Sequence, residues 1–170
     1  EYLERSGGPI GKFLRRDNVN IFSREWDLLI ILDACRVDTL QKVSEDLETD
    51  IFDTRESVRS VGAYSKQWME RTFIDEYEDG IAETAYVNGN PHSELCLGDV
   101  EFGRLEDVWK YDWDDSLGTM PPEALTDHAI HIGREDTPER MIVHYMQPHF
   151  PSIPHPELES EIDLDRIGSE

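Results

Sequence analysis

Apolar residues cluster in three short runs that have the length of β-strands. The run 28–32 is entirely apolar and lies between Asp27 and Asp33, which is typical of a strand buried on both faces of a parallel sheet. Residues 84–87 and 141–146 form two further short, largely apolar runs. We expect all three segments to be strands.

A spacing of three and four between apolar residues predicts helices between these strands. Residues 37–47 show this spacing, and their apolar helical face consists of Val37, Leu40, Val43 and Leu47. A second helix is expected from Pro121 to about residue 134, because proline suits the first turn of a helix.

The order of these elements favours an α/β fold in which a mainly parallel sheet is flanked by helices. Residues 1–26 hold a short amphipathic pattern, Ile10, Phe13 and Leu14 among basic residues, which predicts an N-terminal helical extension. Residues 27–170 then form the α/β domain. The sequence opens with Glu1 and ends without an obvious closing element, so we expect it to be a fragment.

Acidic residues dominate the charged positions. The chain of 170 residues has 38 Asp and Glu but 16 Lys and Arg, a formal net charge of -22, and the acids are spread along its whole length. Such a surface repels nucleic acid and anionic membranes, which excludes both as partners. Molar salt shortens the Debye length to about 3 Å and removes most of the self-repulsion. The composition therefore predicts a halophilic protein of haloarchaeal type.

Cysteine usage and hydropathy indicate the compartment. Cys35 and Cys96 are too few for a disulfide framework and belong to no C-x-x-C pair. No apolar run approaches the roughly 18 residues that span a bilayer, and the N-terminus has no basic-then-apolar signal pattern. We expect reduced thiols, no membrane insertion in this segment and a cytoplasmic location.

Asp33 stands at the carboxyl end of the first predicted strand, where open α/β sheets place their ligand crevice. A buried carboxylate at this position needs a cation or several hydrogen-bond donors, because an isolated buried charge is costly to desolvate. Two structural roles remain open for it: an N-cap of the following helix, or a salt bridge to Arg36.

Ser65 follows a loop of small residues that includes Gly62 and precedes a short helical pattern. A hydroxyl at a helix N-terminus faces free backbone N–H groups, which favour a bound anion and an attacking alkoxide. The alternative is an N-cap with no further role, since serine is a preferred residue there.

Two histidines, His144 and His149, follow the last predicted strand, and prolines fix the loop that leaves it. Their imidazoles would project into the same crevice as Asp33. The spacing of these histidines is not that of a self-contained zinc site.

These blocks together resemble the alkaline phosphatase and sulfatase superfamily. The run 28–38 is similar to the opening strand of that superfamily, in which an aspartate at the strand end binds the catalytic metal. Residues 144–151, His-Tyr-Met-Gln-Pro-His-Phe-Pro, look like its H-Y-x-x-P-H-x-P segment. Residues 62–65 place Ser65 32 positions after Asp33, where members carry a Ser, Thr or Cys nucleophile that heads a helix. The resemblance covers residues 26 to about 151 and is greatest to the sulfatase-like proteins of haloarchaea.

Two family motifs are missing from the sequence. Sulfatases need a C-x-P-S-R motif, but Cys35 is followed by Arg-Val-Asp and Ser65 by Lys-Gln-Trp. The later D-H-G block that completes the metal site is also absent, because Asp127-His128 is followed by alanine and precedes His149. Phosphoryl or phosphodiester transfer therefore matches better than sulfatase chemistry.

The resemblance implies an alkaline-phosphatase-like domain, of which the chain is the N-terminal part, acting as a metal-dependent hydrolase or transferase on phosphate or sulfate esters of small molecules or glycans. Asp33 would bind a divalent ion, Zn²⁺, Mg²⁺, Mn²⁺ or Ca²⁺, and Ser65 would be the nucleophile. His149, with His144 and Arg36, would contact the substrate.

Two other functions are open. The chain could be a non-catalytic sulfatase-like module for binding or assembly that has lost its metal. Alternatively, Cys35 and Arg36 could form a thiol nucleophile with an anion clamp, although the C-x5-R spacing of phosphatase loops is missing.

Overall fold

The computed structural model of the protein describes residues 18–47 and 56–156. Within them lies a four-stranded parallel sheet with the strand order β2-β6-β4-β5. Two very short strands, β1 and β3, pair in parallel beside it. The strands are β1 (Asn18–Val19), β2 (Leu28–Leu32), β3 (Arg59–Ser60), β4 (Thr84–Asn88), β5 (Arg104–Asp107) and β6 (Arg140–Tyr145). The predicted α/β class with parallel strands is confirmed.

Helices flank the sheet and connect its strands. The α-helices in the described residues are α1 (Val37–Asp46), α2 (Ser65–Thr72), α3 (Glu78–Ala82), α4 (Ser93–Cys96) and α5 (Pro122–Glu135). Single turns of 3-10 helix lie at Ile21–Ser23, Asp75–Tyr77 and Val108–Lys110. The helices predicted over 37–47 and from Pro121 are both confirmed, and α5 begins with proline as expected.

The N-terminal helical extension predicted over 1–26 lies largely outside the described residues. Residues 18–26 contain β1 and one 3-10 turn, Ile21–Ser23. The side chain of Asn20 accepts a hydrogen bond from the backbone N–H of Phe22 at 3.0 Å, which caps this turn.

The sheet is covered on both sides along its centre. Alternate residues of β4 and β6 point to opposite faces, so each strand contributes to two apolar clusters. On one face, Ala85, Val87, Met141 and Val143 pack against Leu125 and Ile132 of α5. On the other face, Tyr86 and Ile142 pack against Phe22 and against Met69 and Phe73 of the α2 region. Burial of each large apolar side chain stabilises the fold by about 1.5–3 kcal/mol.

The strand predicted to be buried on both faces, β2, is an end strand of the described sheet. Leu29 and Ile31 pack into the cluster around Phe22, as expected of an inner face. Leu28, Ile30 and Leu32 are 55%, 54% and 39% exposed, whereas α5 packs mainly against β4 and β6. The prediction of two buried faces is therefore wrong for the described residues.

Helix α1 also keeps apolar residues at its surface. Val37, Val43 and Leu47 belong to its amphipathic face, and each remains exposed among the described residues. No helix in the described ranges combines the length and the apolar character that crossing a bilayer requires.

Candidate functional site

Three polar side chains that are distant in sequence meet at the carboxyl edge of the sheet. Asp33 directly follows β2, Ser65 opens α2, and Asn90 lies two residues after β4. The Asp33 Oδ2 atom accepts a hydrogen bond from Ser65 Oγ at 2.8 Å and another from Asn90 Nδ2 at 3.1 Å. The carboxyl ends of parallel strands are where such sheets bind ligands. The predicted proximity of Asp33 and Ser65 is therefore present in the structure.

Neither structural alternative for Asp33 is realised. The N-cap of α1 is Arg36, and it makes no side-chain capping bond. Arg36 pairs with Asp38, with its Nη2 atom 2.8 Å from Asp38 Oδ2. The carboxylate of Asp33 instead faces Ser65, and its backbone N–H donates to Tyr145 O on β6 at 3.2 Å.

A strained turn fixes the direction of this carboxylate. Ala34, the residue after Asp33, has a φ of 58°, in the left-handed region that disfavours residues with a β-carbon. Cys35 N donates to Leu32 O at 3.2 Å and closes the turn. Strained backbone of this kind persists where the surrounding structure holds it, and it is common at functional sites.

Ser65 is the first residue of α2, and Tyr64 is its N-cap. The serine hydroxyl is therefore not a capping group, because it donates to Asp33. The first N–H groups of an α-helix have no carbonyl partner within the helix, so they remain donors for an anion beside Ser65.

Gly62 allows the loop before Ser65 to lie against α2. A β-carbon at Gly62 would come within 2.3 Å of Trp68 N, which no real side chain tolerates. Ala63 N donates to Gln67 Oε1 at 2.9 Å and joins the loop to the helix it precedes. The loop therefore fixes where α2 begins and hence where the Ser65 hydroxyl lies.

A cavity of about 310 Å³ opens beside this pair. Asp33, Ser65 and His144 all line it, together with Trp68 and the loop before α2. Arg36 and His149 do not line it. His149 is exposed, and its Nδ1 atom lies 2.7 Å from Phe150 O.

His144 is buried and neutral at pH 7. Burial lowers its pKa to about 4, while the negative charge of Asp33 acts in the opposite direction. The His144 Nδ1 atom lies 2.8 Å from the hydroxyl of Tyr86. The ring also makes an edge contact with Trp68, at 5.8 Å between centroids. An uncharged histidine here can donate or accept a hydrogen bond without adding charge to the cavity.

Asn90, which no sequence pattern above singles out, is held by a buried polar network. Asn88 Nδ2 donates to Asn90 O and to Asp107 Oδ1, both at 2.9 Å. Ser93 Oγ donates to Asp107 Oδ1 at 2.8 Å, and Lys110 Nζ lies 3.1 Å from Asp107 Oδ2. The signal that could have revealed it is the run Asn-Gly-Asn-Pro directly after the predicted strand 84–87.

The donor set suits a hard cation only in part. Among the described residues, no three His, Cys, Asp or Glu side chains are placed to hold a metal ion together. Both hydrogen bonds to Asp33 fall on Oδ2, which leaves Oδ1 available as an oxygen ligand. A cation of the predicted kind would therefore use Asp33 and need further ligands from elsewhere.

Comparison with known proteins identifies no family for this chain. No protein-family model matches the chain, and no curated protein or solved structure matches it either. The function therefore has to be inferred from the arrangement of Asp33, Ser65 and His144.

Proposed function

We propose that this chain carries the nucleophile and one metal ligand of a metal-dependent hydrolase or transferase that acts on phosphate or sulfate esters. The observation that carries the proposal is the 2.8 Å hydrogen bond between Ser65 Oγ and Asp33 Oδ2, at the carboxyl edge of a parallel sheet. The resemblance of these segments to the alkaline phosphatase and sulfatase superfamily supports the same function.

In this proposal Ser65 Oγ attacks the phosphorus or sulfur atom in line with the leaving group. The hydroxyl proton of Ser65 passes to Asp33 Oδ2, which accepts its hydrogen bond. The bond from Oγ to the phosphoryl group forms, the bond to the ester oxygen breaks, and the leaving group departs with its electron pair. Asp33 holds the hydroxyl in place, since the hydrogen bond between them restricts Oγ to one rotamer. Water or a second alcohol then releases the phosphoryl group from Ser65.

The cavity contributes donors for the charged oxygens of the ester. Backbone N–H groups at the start of α2 face an anion bound beside Ser65, and the positive end of the helix dipole favours it. His144 is the predicted substrate contact that lines the cavity. Arg36 and His149 lie outside it, so we assign them no part in the reacting group's immediate surroundings.

A divalent cation at Asp33, whether Zn²⁺, Mg²⁺, Mn²⁺ or Ca²⁺, would lower the pKa of the Ser65 hydroxyl and neutralise charge on the ester oxygens. Phosphate esters, of small molecules or glycans, are the favoured substrates because the C-x-P-S-R motif of sulfatases is missing. The acidic composition supports a halophilic protein of haloarchaeal type, so assays belong in molar KCl. A cytoplasmic location, expected from the cysteine usage and hydropathy, is part of the same proposal.

Replacing Ser65 by alanine tests the nucleophile. The full-length protein is assayed with p-nitrophenyl phosphate, bis-p-nitrophenyl phosphate and p-nitrophenyl sulfate, with each of the four cations after EDTA treatment. Ser65→Ala is expected to abolish turnover, whereas Ser116→Ala, which removes an exposed hydroxyl bonded to Asp114, keeps wild-type rates. Full activity of Ser65→Ala would overturn the assignment.

Metal titration of the full-length protein separates the alternative function. Calorimetry that shows one divalent ion bound, and loss of that binding in Asp33→Asn, supports the hydrolase. Absence of both turnover and divalent binding supports the non-catalytic module for binding or assembly instead.

A further inference from the structure

The buried pair of Tyr86 and His144 determines what the cavity presents to a ligand. Tyr86 lies on β4 and His144 on the neighbouring strand β6, and their side chains share one face of the sheet. The Tyr86 hydroxyl and His144 Nδ1 are 2.8 Å apart, and both side chains are at least 98% buried. Either atom can be the donor, so the position of the protons has to be derived from the surroundings.

The hydroxyl of Tyr86 has to be the donor in this pair. Burial, with the negative charges of Asp107 and Asp33, raises the pKa of Tyr86 well above its ordinary value, so the phenol keeps its proton. Within residues 18–47 and 56–156, His144 Nδ1 is the only hydrogen-bond partner of this hydroxyl. If Nδ1 carried a proton as well, a buried O–H would have no acceptor, which proteins avoid.

The second ring nitrogen, Nε2, has no hydrogen-bond partner among the described residues. In the described part of the chain, the buried side-chain nitrogen and oxygen atoms without a hydrogen-bond partner are Thr72 Oγ1 and Gln147 Oε1. His144 Nε2 has no hydrogen bond to a described residue and is not one of these atoms. We infer that the cavity, which His144 lines beside Asp33 and Ser65, is the space that Nε2 meets.

We propose that Tyr86 is a positioning residue that fixes His144 as the Nε2–H tautomer, so that His144 offers an uncharged N–H donor to an oxygen of the bound ester. A nitrogen that carries a proton has no lone pair for a metal, so His144 is a substrate contact and not a metal ligand. The part of this inference that concerns the ester depends on the proposed function, whereas the tautomer does not.

The surroundings of both rings keep this arrangement in place. Tyr86 packs against Phe73 and Phe102, at 5.2 and 5.4 Å between centroids. Trp68 makes an edge contact with His144. The carboxylate of Asp33 lines the same cavity, and its negative charge favours an N–H group over a lone pair there.

Long-range ¹H–¹⁵N correlation spectra of the chain with ¹⁵N-labelled histidine, at pH 7 and without divalent ions, test the tautomer directly. The His144 signals are identified by their loss in His144→Gln. We expect the wild-type pattern of an unprotonated Nδ1 and a protonated Nε2. The opposite pattern in the wild-type chain would overturn the inference.

Removal of the Tyr86 hydroxyl tests the cause. In Tyr86→Phe the ring contacts remain, and both ¹⁵N shifts of His144 are expected to move toward those of a tautomer mixture. The matched control is Tyr145→Phe, which removes a hydroxyl bonded to Thr126 Oγ1 on the opposite face of β6 and should leave the His144 shifts unchanged. Wild-type shifts in Tyr86→Phe would sink the positioning role, and if that variant does not fold, the wild-type spectrum still decides the tautomer.

Inhibition by inorganic phosphate tests the consequence for the site. In the metal-loaded full-length protein, Tyr86→Phe should raise the inhibition constant about twofold, because an equal tautomer mixture halves the fraction of His144 that offers Nε2–H, and Tyr145→Phe should not. An unchanged constant in a folded Tyr86→Phe overturns the substrate contact. A wild-type chain with the expected tautomer but no phosphate binding and no turnover contradicts the proposed function alone.

Discussion

Replacing Gly62 with alanine tests the position of Ser65 through the backbone. The new β-carbon would lie 2.3 Å from Trp68 N, 2.5 Å from Trp68 Cα and 2.7 Å from the carbonyl carbon of Gln67. All three are backbone atoms, so no side-chain rotation relieves the contact, and the loop has to move by about 1 Å to restore ordinary van der Waals separation. Overpacking of this kind costs about 1–3 kcal/mol. Loss of the Ser65 to Asp33 hydrogen bond adds about 1 kcal/mol.

Urea unfolding followed by tryptophan fluorescence measures this loss. A decrease of about 2–4 kcal/mol lowers the midpoint by about 1–2 M for a chain of this size. Gly133→Ala is the matched control, because its β-carbon would meet Met141 Cε at an ordinary 3.5 Å. Alanine in helix α5 should raise stability by about 0.5–1 kcal/mol. A Gly62→Ala midpoint equal to that of the wild-type chain would refute the close approach of the loop to α2.

Three further predictions concern pH, the polar network and salt. The pKa of His144 is lowered to about 4 from 6.5, so below pH 6.5 the unfolded chain takes up this proton first. The contribution of neutral His144 to the free energy of unfolding is complete above pH 6.5 and falls by up to about 3 kcal/mol toward pH 4. The urea midpoints of the wild-type and His144→Gln chains should therefore converge over that range. A constant difference between the two midpoints would contradict the burial of His144. Asn90→Ala removes the donor to Asp33 and the acceptor for His92 N. This loss should lower the free energy of unfolding by about 1–3 kcal/mol and reduce the Tm. An unchanged Tm would show that the network does not stabilise the fold. Raising KCl from about 0.1 to 1 M shortens the Debye length from about 10 to 3 Å and should raise the urea midpoint of a chain with a net charge of -22; a lower midpoint would count against self-repulsion.

The strands and long helices could be predicted because their signals are local. The apolar run that became β6 and the proline that opens α5 act within a few residues of themselves. The order of strands in the sheet is different, since it depends on which distant segments pair. For that reason the sequence pattern predicted that both faces of β2 are buried. Among the described residues, β2 is instead an end strand with one exposed face.

The residues of the candidate site also fall into those that local sequence signals predict and those that depend on distant partners. Asp33 and Ser65 could be predicted because each occupies a recognisable position, the end of a strand and the start of a helix. Asn90 and Tyr86 could not, because their partners lie 57 and 58 residues away and only the folded sheet brings them together. His149 was expected in the same crevice, but its side chain is exposed and does not line the cavity.

Leu28, Ile30 and Leu32 form an exposed apolar row on β2. Because of this row, salt is expected to affect both the stability of the folded chain and its tendency to associate. An exposed apolar strand at the edge of a sheet is a surface through which chains associate. At low ionic strength, electrostatic repulsion between the strongly anionic chains keeps these apolar surfaces apart. Concentrated salt screens this repulsion. The conditions expected to stabilise the fold are therefore also expected to favour association between folded chains. Light scattering should therefore rise over the same range of KCl in which resistance to urea increases.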